Sequence, residues 1–405
     1  MNLKNDLRSL LRPISLLLIG ALSSYSSMSF SEIDFESFFK LRTEVQNIQN
    51  SNYSTLSTDQ TFRLKGIIRP SEVFETHFWL LSHAYFDKDP QGSVRLYVLG
   101  KWFLNKELSL VMGRIPYESH FHEIISTNSI ETYPYFLDGL FVNYSTRLIH
   151  LDIFGAYMPK QYIETQELPS LRYGTGVFLD LHSISEFFNH VNLHLVYLSN
   201  SFFKEESEKT TRYGAAIDGN VASMNLDYKL IGIAHGDGFK FRSNQSMYHV
   251  ELAYTKLEWS GSRFFVGYHS DTENYNPWLY NRYKNAGFLQ LFLWGNLTYA
   301  YAGYKTSFFN FDFQLVLHNM KSTARGKVRL GQKAYRIDRS VMHHQASAPK
   351  EFLGRELDMI FIKKMNDEFK ILMLVGAFQP GGSVKNLLKG MNYYTNIKLT
   401  GVYKF

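Results

Sequence analysis

The stretch FFNFDFQLVLHNM, residues 308–320, alternates between apolar and polar side chains. Because successive side chains of a strand point to opposite faces, it predicts a β-strand with one apolar and one polar face. A soluble sandwich buries the apolar face, whereas a membrane-spanning barrel turns it toward lipid and keeps its interior polar. The apolar face carries Phe309, Phe311, Phe313, Leu315 and Leu317, and the polar face carries Asn310, Asp312, Gln314 and His318.

The same two-residue period recurs along the chain. Its clearest examples lie at residues 61–69, 92–104, 148–158 and 222–232. A tilted membrane-spanning strand needs about 9–11 residues, which these segments supply. Single-chain bacterial barrels usually have an even number of strands, so we predict an all-β fold, a transmembrane antiparallel β-barrel of about 18 strands, with about 16 as the fallback.

Residues 1–29 have the order of a secretory signal peptide. A basic segment precedes the apolar run PISLLLIGAL at 13–22, and small polar residues follow it, so we expect cleavage near Ser29 or Ser31. The apolar run is shorter than the roughly 20 residues that a membrane-spanning helix needs. No linker rich in Pro, Gly or Ser interrupts the remainder, so we predict that 30–405 form a single barrel domain.

The composition favours a barrel of the Gram-negative outer membrane. Aromatic residues make up 16% of the chain, with 33 Phe and 27 Tyr, yet the mean hydropathy is only −0.22. Such values are typical of a protein in which half of each strand is polar. No apolar run beyond the N-terminus approaches 18 residues, which argues against a helical membrane protein. The chain contains no cysteine that could carry a lipid anchor.

The C-terminus resembles the sorting signal of bacterial outer-membrane barrels. It ends on Phe405, and a second aromatic residue, Tyr403, lies two positions earlier on the same face of the predicted closing strand at 393–405. The resemblance implies recognition by the barrel-assembly machinery and insertion among outer-membrane lipid and lipopolysaccharide.

Closure of the barrel fixes its orientation. In lipid every backbone N–H and C=O group needs an internal partner, so the closing strand must pair with the first strand, near 34–46. We therefore expect both ends of the barrel to face the periplasm. The segment at 363–368 is then a periplasmic turn, and the segments at 319–350 and 380–392 lie outside the cell.

In the last third of the chain, one strand carries Gly354, Glu356 and Asp358, and the next carries Gly376 and Phe378. This pattern resembles the end of the alginate-export family, whose members are monomeric outer-membrane barrels of 18 strands that pass an anionic polysaccharide. The upstream segments 110–117 and 135–144 are similar to that family's Gly-Arg and Asp-Gly strands. The turn between the last two hairpin strands is short here, whereas some members carry a long insertion, which argues against alginate itself as the solute. The matching residues at the end of the chain are Gly354, Glu356, Leu357, Asp358, Gly376, Phe378, Pro380 and Gly381.

The polar faces supply the candidate site. Fixed cations in a low-dielectric channel raise the local concentration of anions, so inward bases predict a channel for anionic solutes or polysaccharide. The alternative is structural, because opposite charges also brace the walls of large barrels. The candidate bases are Arg63, Lys65, Arg69, Arg95, Lys101 and Arg114, and the candidate acids are Asp138, Asp152, Glu356 and Asp358.

Residues 321–350 are strongly basic, with eight Lys or Arg residues against the single acid Asp338. As an outer loop, this segment would bind phosphates of neighbouring lipopolysaccharide or an anionic partner. The second use defines an alternative function, a non-conducting surface protein. A signal peptide argues against nucleic acid as the partner. The bases singled out are Arg325, Lys327, Arg329, Lys333, Arg336 and Arg339.

The sequence contains little indication of metal binding or catalysis. His120, His122 and Glu123 have a strand-like spacing, and His343 precedes His344, but neither set is a full ligand constellation, so we predict no metal and no cofactor. No nucleophile or phosphate-binding motif is present in the sequence, so we expect no enzyme. A secreted soluble β protein is the third hypothesis, and it predicts extraction without detergent.

Overall fold

The computed structural model describes residues 32–48, 54–86, 91–117, 120–121, 137–157, 173–199, 209–237, 240–256, 261–272, 289, 292–293, 296–324, 326–330, 345–348, 352–382, 384 and 392–404. The predicted signal peptide lies outside these residues. None of the helices within them is both long and apolar enough to cross a membrane.

The described chain consists almost entirely of strands, with one short 3-10 helix at Ala222–Met224. In order, the strands are β1 (Glu32–Ile48), β2 (Ser54–Ser71), β3 (Phe74–Phe86), β4 (Gln91–Phe103), β5 (Leu108–Ile115), β6 (Leu137–Ser145), β7 (Ile149–Tyr157), β8 (Tyr173–His182), β9 (Phe188–Ser199), β10 (Lys209–Val221), β11 (Leu226–Asp237), β12 (Lys240–Lys256), β13 (Ser262–Asp271), β14 (Phe292–Leu293), β15 (Leu297–Phe308), β16 (Phe311–Ser322), β17 (Gly326–Leu330), β18 (Gln345–Ala348), β19 (Phe352–Lys364), β20 (Phe369–Pro380) and β21 (Tyr394–Lys404).

Eighteen of these strands form one closed antiparallel barrel, which confirms the predicted fold and strand number. The first and last strands close it, with Phe38 opposite Lys404 and Ile48 opposite Tyr394. Every barrel strand thus has a partner on both sides, and no sheet edge is left to lipid. The remaining strands, β14, β17 and β18, form a separate three-stranded sheet within two of the long connections.

The two ends of the barrel differ in their connections. The end that carries the start of β1 and the end of β21, here called the turn side, has connections of two to five residues. The opposite end, the loop side, carries the longest connections, at 116–136, 158–172, 272–296 and 323–351. This asymmetry is typical of outer-membrane barrels, which combine short periplasmic turns with longer outer loops.

The apolar faces of the strands lie on the outside of the barrel. In β16, Leu317 is 50% exposed, whereas its neighbours Val316 and His318 are buried. An apolar belt of this extent is what lipid requires and what a soluble sandwich avoids, so the soluble hypothesis does not fit this wall. The exposed outward side chains include Val94, Met112, Leu140, Ile153, Leu193, Leu230, Leu252, Val266, Leu317 and Ile397.

The predicted alternation is wrong at two hairpin turns. Phe309 and Asn310 do not belong to the strand; they form the two-residue turn between β15 and β16, and both have positive φ. Two-residue hairpins favour such left-handed turns because their twist matches that of the strands. Phe309 consequently projects into solvent, 92% exposed. Likewise Met224 and Asn225 lie in the turn before β11 rather than on the strand.

The inward face is less polar than predicted. Aromatic side chains such as Phe141, Phe154 and Phe178 point inward and are buried. They belong to one apolar cluster with Phe121 and Phe292, which come from the connections after β5 and β13. Segments from the loop side therefore fold into the barrel and cover part of its inner wall. Because these segments shield it from water, an inward-facing side chain can be apolar here.

Candidate functional site

Four inward-facing bases lie on β2 and β4, on the two sides of β3, and are here called the basic arc: Arg63, Lys65, Arg95 and Lys101. Leu81 of β3 lies opposite Arg63 of β2 on one side and opposite Arg95 of β4 on the other. Leu81 is buried inward, whereas all four bases keep part of their surface exposed. Strands lie about 4.8 Å apart, so the two arginines start about 10 Å from each other along the wall.

Arg69 belongs to a different group at the turn side. Its Nε donates to Glu75 at 2.9 Å, and its Nη1 donates to Asp34. The other Glu75 oxygen lies 2.9 Å from His77 Nε2. Arg69 thus has two carboxylate partners, whose negative charge opposes its field.

Arg114 and Asp138 form a bidentate ion pair, in which Nε donates to Oδ1 and Nη2 donates to Oδ2. Gly113 precedes Arg114 in β5, Gly139 follows Asp138 in β6, and the two glycines lie opposite each other. At each glycine a Cβ atom would lie 2.4–2.5 Å from a neighbouring carbonyl oxygen, and Gly113 has φ of +131°. The guanidinium carbon lies 5.5 Å from the ring of the inward-facing Tyr97. The glycines therefore allow a local distortion that brings this pair to the inner side of the wall.

Asp152 is buried on the inward face of β7. It accepts a hydrogen bond from Tyr117 Oη at 2.7 Å and lies 3.1 Å from His150 Nε2. Asn143 also donates to it. Because Tyr117 belongs to the segment after β5, Asp152 ties that infolded segment to the wall.

The two acids of β19 have different partners, and one of them holds a second infolded segment. Glu356, which is fully buried, accepts the backbone N–H of Leu289 at 2.6 Å. Asp358 lies 3.3 Å from His318 Nε2 on β16. Leu289 belongs to the long connection at 272–296 and packs in the apolar cluster. Glu356 therefore positions the infolded segment, and Asp358 links β19 to the neighbouring wall strand β16.

Apart from His318, sequence reasoning missed the buried inward histidines. His269 lies 3.1 Å from Asp271, and Asp271 accepts the N–H of Leu297 at 2.7 Å. All of these residues occupy alternate positions of strands, so the two-residue period contains the signal that could have found them. The buried inward histidines are His83, His194, His235, His249, His269 and His318.

One group of side chains has the composition of a metal site. His120, His190 and Asp218 each offer a ligand atom, and these atoms all lie within 4.8 Å of one another. The sequence pairs His120 instead with His122 and Glu123, which lie outside the described residues, as does the pair at 343–344.

The basic loop is described only in part. Lys327 and Arg329 lie on β17, which pairs with β14 and β18. Arg325, Lys333, Arg336 and Arg339 lie outside the described residues.

At the C-terminus, Tyr403 lies on the outward face of β21 and donates to Glu368 at 2.9 Å. Phe405 lies outside the described residues.

The architecture is similar to that of several solved bacterial proteins. No family model and no curated protein matches the sequence. OccK11 (OpdR) of Pseudomonas aeruginosa matches over 94% of this chain and 97% of its own, with a TM-score of 0.64 and 10% identity. The outer membrane protein OprD of Pseudomonas aeruginosa matches over 94% and 96%, with a TM-score of 0.62 and 12% identity. OccAB1 of Acinetobacter baumannii matches over 94% and 99%, with a TM-score of 0.64 and 8% identity. At these identities the likeness establishes a common fold.

Proposed function

We propose that the protein is a channel of the Gram-negative outer membrane that passes anionic solutes along the basic arc. The fold supports the first half of this proposal, because the similar OprD and Occ proteins are outer-membrane porin channels. The same likeness supports an outer-membrane location, with the turn side in the periplasm. We propose no catalytic role for any of the described side chains.

The observation that carries the choice of anions is the placement of the basic arc. Two bases lie on β2 and two on β4, and all four point inward and keep part of their surface exposed. We propose that the solute path runs beside them. Cations at that surface attract anions and repel other cations.

Charge reversal on the basic arc tests this assignment. The mature chain carrying Arg63→Glu and Arg95→Glu should shift its reversal potential in a KCl gradient toward cation preference. Lys106→Glu reverses one charge on an exposed turn outside the barrel wall, so it serves as the control for each single charge reversal. Unchanged ion selectivity in the double variant, with normal conductance, would contradict the assignment of the basic arc to the solute path.

The size of the solute that can pass depends on how much of the barrel interior the infolded segments fill. The resemblance of residues 353–405 to the alginate-export family favours an anionic polysaccharide, whereas the packed segments favour small anions. Measurements of current block by added solutes distinguish these two possibilities. Addition of oligouronates should produce discrete closures if a sugar chain threads the pore, and acetate should carry current without block if small anions pass freely.

We also propose partners outside the lumen. Lipid covers the apolar belt, and the assembly machinery recognises the aromatic residues Tyr403 and Phe405 at the end of β21. Phosphates of lipopolysaccharide bind the basic loop, whose candidate residues are Arg325, Lys327, Arg329, Lys333, Arg336 and Arg339.

The packed interior supports a second candidate, a barrel without conductance whose basic loop binds an anionic partner at the cell surface. Phe121, Leu289, Phe292 and Val384 come from connections on the loop side and are almost fully buried. Deletion of residues 325–345 separates the two functions. Loss of surface binding with unchanged conductance favours the binding role, and altered conductance favours the channel.

A further inference from the structure

An imidazole and a carboxylate lie side by side on the inner wall near the turn side. His190 of β9 is opposite Asp218 of β10, and on its other side it is opposite His182 of β8. Their inward direction follows from the buried neighbours Asn192 and Ala216, which lie two residues away on the same faces. The turns at 183–187 and 222–225 close the two hairpins just beyond this group.

A second imidazole reaches this group from the opposite end of the barrel. His120 belongs to the connection after β5, which starts on the loop side. Its ring stacks on that of His190 with 3.7 Å between centroids, and its Nε2 lies 2.8 Å from Asp218 Oδ2. The adjacent Phe121 is 1% exposed, and Tyr117 donates to Asp152. Two anchors therefore hold His120 deep inside the barrel.

The group contains polar atoms without a hydrogen-bond partner among the described residues. These are His182 Nε2, His190 Nδ1 and Asp218 Oδ1, all of which are buried. Buried polar atoms nearly always have a partner, and an ion is one recognised explanation when they do not.

We propose that His120, His190 and Asp218 bind a divalent transition-metal ion of the Zn²⁺ type. Two imidazole nitrogens and one carboxylate oxygen are a common zinc ligand set, with water in the fourth position. The side chain of His120 is 40% exposed, which leaves a path for the ion from the lumen. Mg²⁺ and Ca²⁺ prefer all-oxygen ligands and do not suit this set. Binding tilts the stacked rings apart so that both lone pairs face the ion.

The consequence of binding is mechanical. One ligand comes from the infolded segment and two come from the wall, on β9 and β10. The ion therefore clamps the segment to the wall and fixes the cross-section of the lumen at this level. This inference needs the barrel fold but not conductance, so it stands or falls separately from the proposed channel.

An ordinary His–carboxylate hydrogen bond would also place His120 beside Asp218. The chain contains such a pair on another part of the inner wall, His77 and Glu75, with 2.9 Å between Nε2 and Oε2. That pair belongs to no metal-ligating group of three within the described part of the chain. It is therefore the matched control for weak binding of metal by a lone histidine.

Calorimetry on the folded full-length barrel in detergent, stripped with EDTA, tests the proposal. Titration with ZnCl₂ should give about one ion bound per chain, and MgCl₂ should give no heat. Loss of a residue that only orients a metal ligand lowers the affinity for the metal, and loss of a ligand itself should lower it at least as much. His120→Ala, His190→Gln and Asp218→Asn should therefore each weaken zinc binding at least about tenfold. His77→Gln should leave the affinity unchanged.

X-ray absorption on the zinc-loaded chain identifies the ligands. We expect a first shell of nitrogen and oxygen at about 2.0–2.1 Å with the scattering pattern of two imidazoles. Folding of each variant is checked by its heat-modifiable mobility on a gel. His120 lies outside the barrel strands, so His120→Ala tests the site without altering the wall. Absence of zinc binding, or equal affinity in folded wild type and His120→Ala, would overturn the proposal.

Discussion

Single residues determine which side of the wall faces lipid. Along β16, exposed Leu317 alternates with buried Val316 and His318, and the same alternation makes Gln314 an inward residue. This alternation places the apolar face of the strand on the outside of the wall. A soluble sandwich of the same sequence would bury that face instead, so the pattern of exposure depends on the fold. The stretch at 308–320 therefore contains a direct test of the fold.

A lysine on each face of β16 performs that test. Leu317→Lys places a charge in the lipid-facing belt and should destabilise the barrel by about 2–4 kcal/mol. Gln314→Lys places the same charge on the inward face three residues away and should change stability by less than about 1 kcal/mol. Urea unfolding in lipid vesicles measures both values. Equal destabilisation by the two variants would contradict the assignment of faces.

The glycines beside Arg114 and Asp138 offer a second test at this scale. Gly113→Ala introduces a Cβ atom 2.5 Å from Val98 O at φ of +131°, so we expect a loss of about 1–3 kcal/mol. Gly232→Ala is the control, because nothing lies within 4 Å of its added Cβ. A Gly113→Ala variant as stable as this control would show that the local distortion of β5 is not required.

Whole strands were easier to predict than the segments between them. The period of two residues and the terminal aromatic strand suffice for the barrel, its closure and about 18 strands, because lipid imposes one pattern on every strand. The sequence did not predict that Phe141, Phe154 and Phe178 point inward. Their burial depends on loop segments that return into the lumen, and this contact is not encoded in local periodicity. For the same reason the sequence paired His120 with its neighbours rather than with His190.

The closing strand makes a prediction about assembly. Removal of Phe405 should lower the amount of folded protein in the outer membrane, because the proposed sorting signal is lost. Refolding of the same variant in detergent should remain normal, since the pairing of β21 with β1 ends at Lys404. Phe309→Ala removes an exposed aromatic side chain from a turn on the same side and is the control. Normal membrane levels without Phe405 would contradict a role for the terminal residue.

In the whole molecule, charge is distributed unequally around the wall. The basic arc lies on β2 and β4, whereas the inward acids Asp152, Asp180 and Asp218 lie on β7, β8 and β10. Those acids have hydrogen-bond partners that include Tyr117, Asn192 and His120. Their role is thus to hold structure in place.

The most direct test of this account is single-channel conductance of the refolded mature chain in a planar bilayer with a KCl gradient. The account predicts steady openings whose reversal potential has the sign of anion preference, because the solute path follows the basic arc. A folded, heat-modifiable barrel that shows no openings, or openings with cation preference, would contradict it.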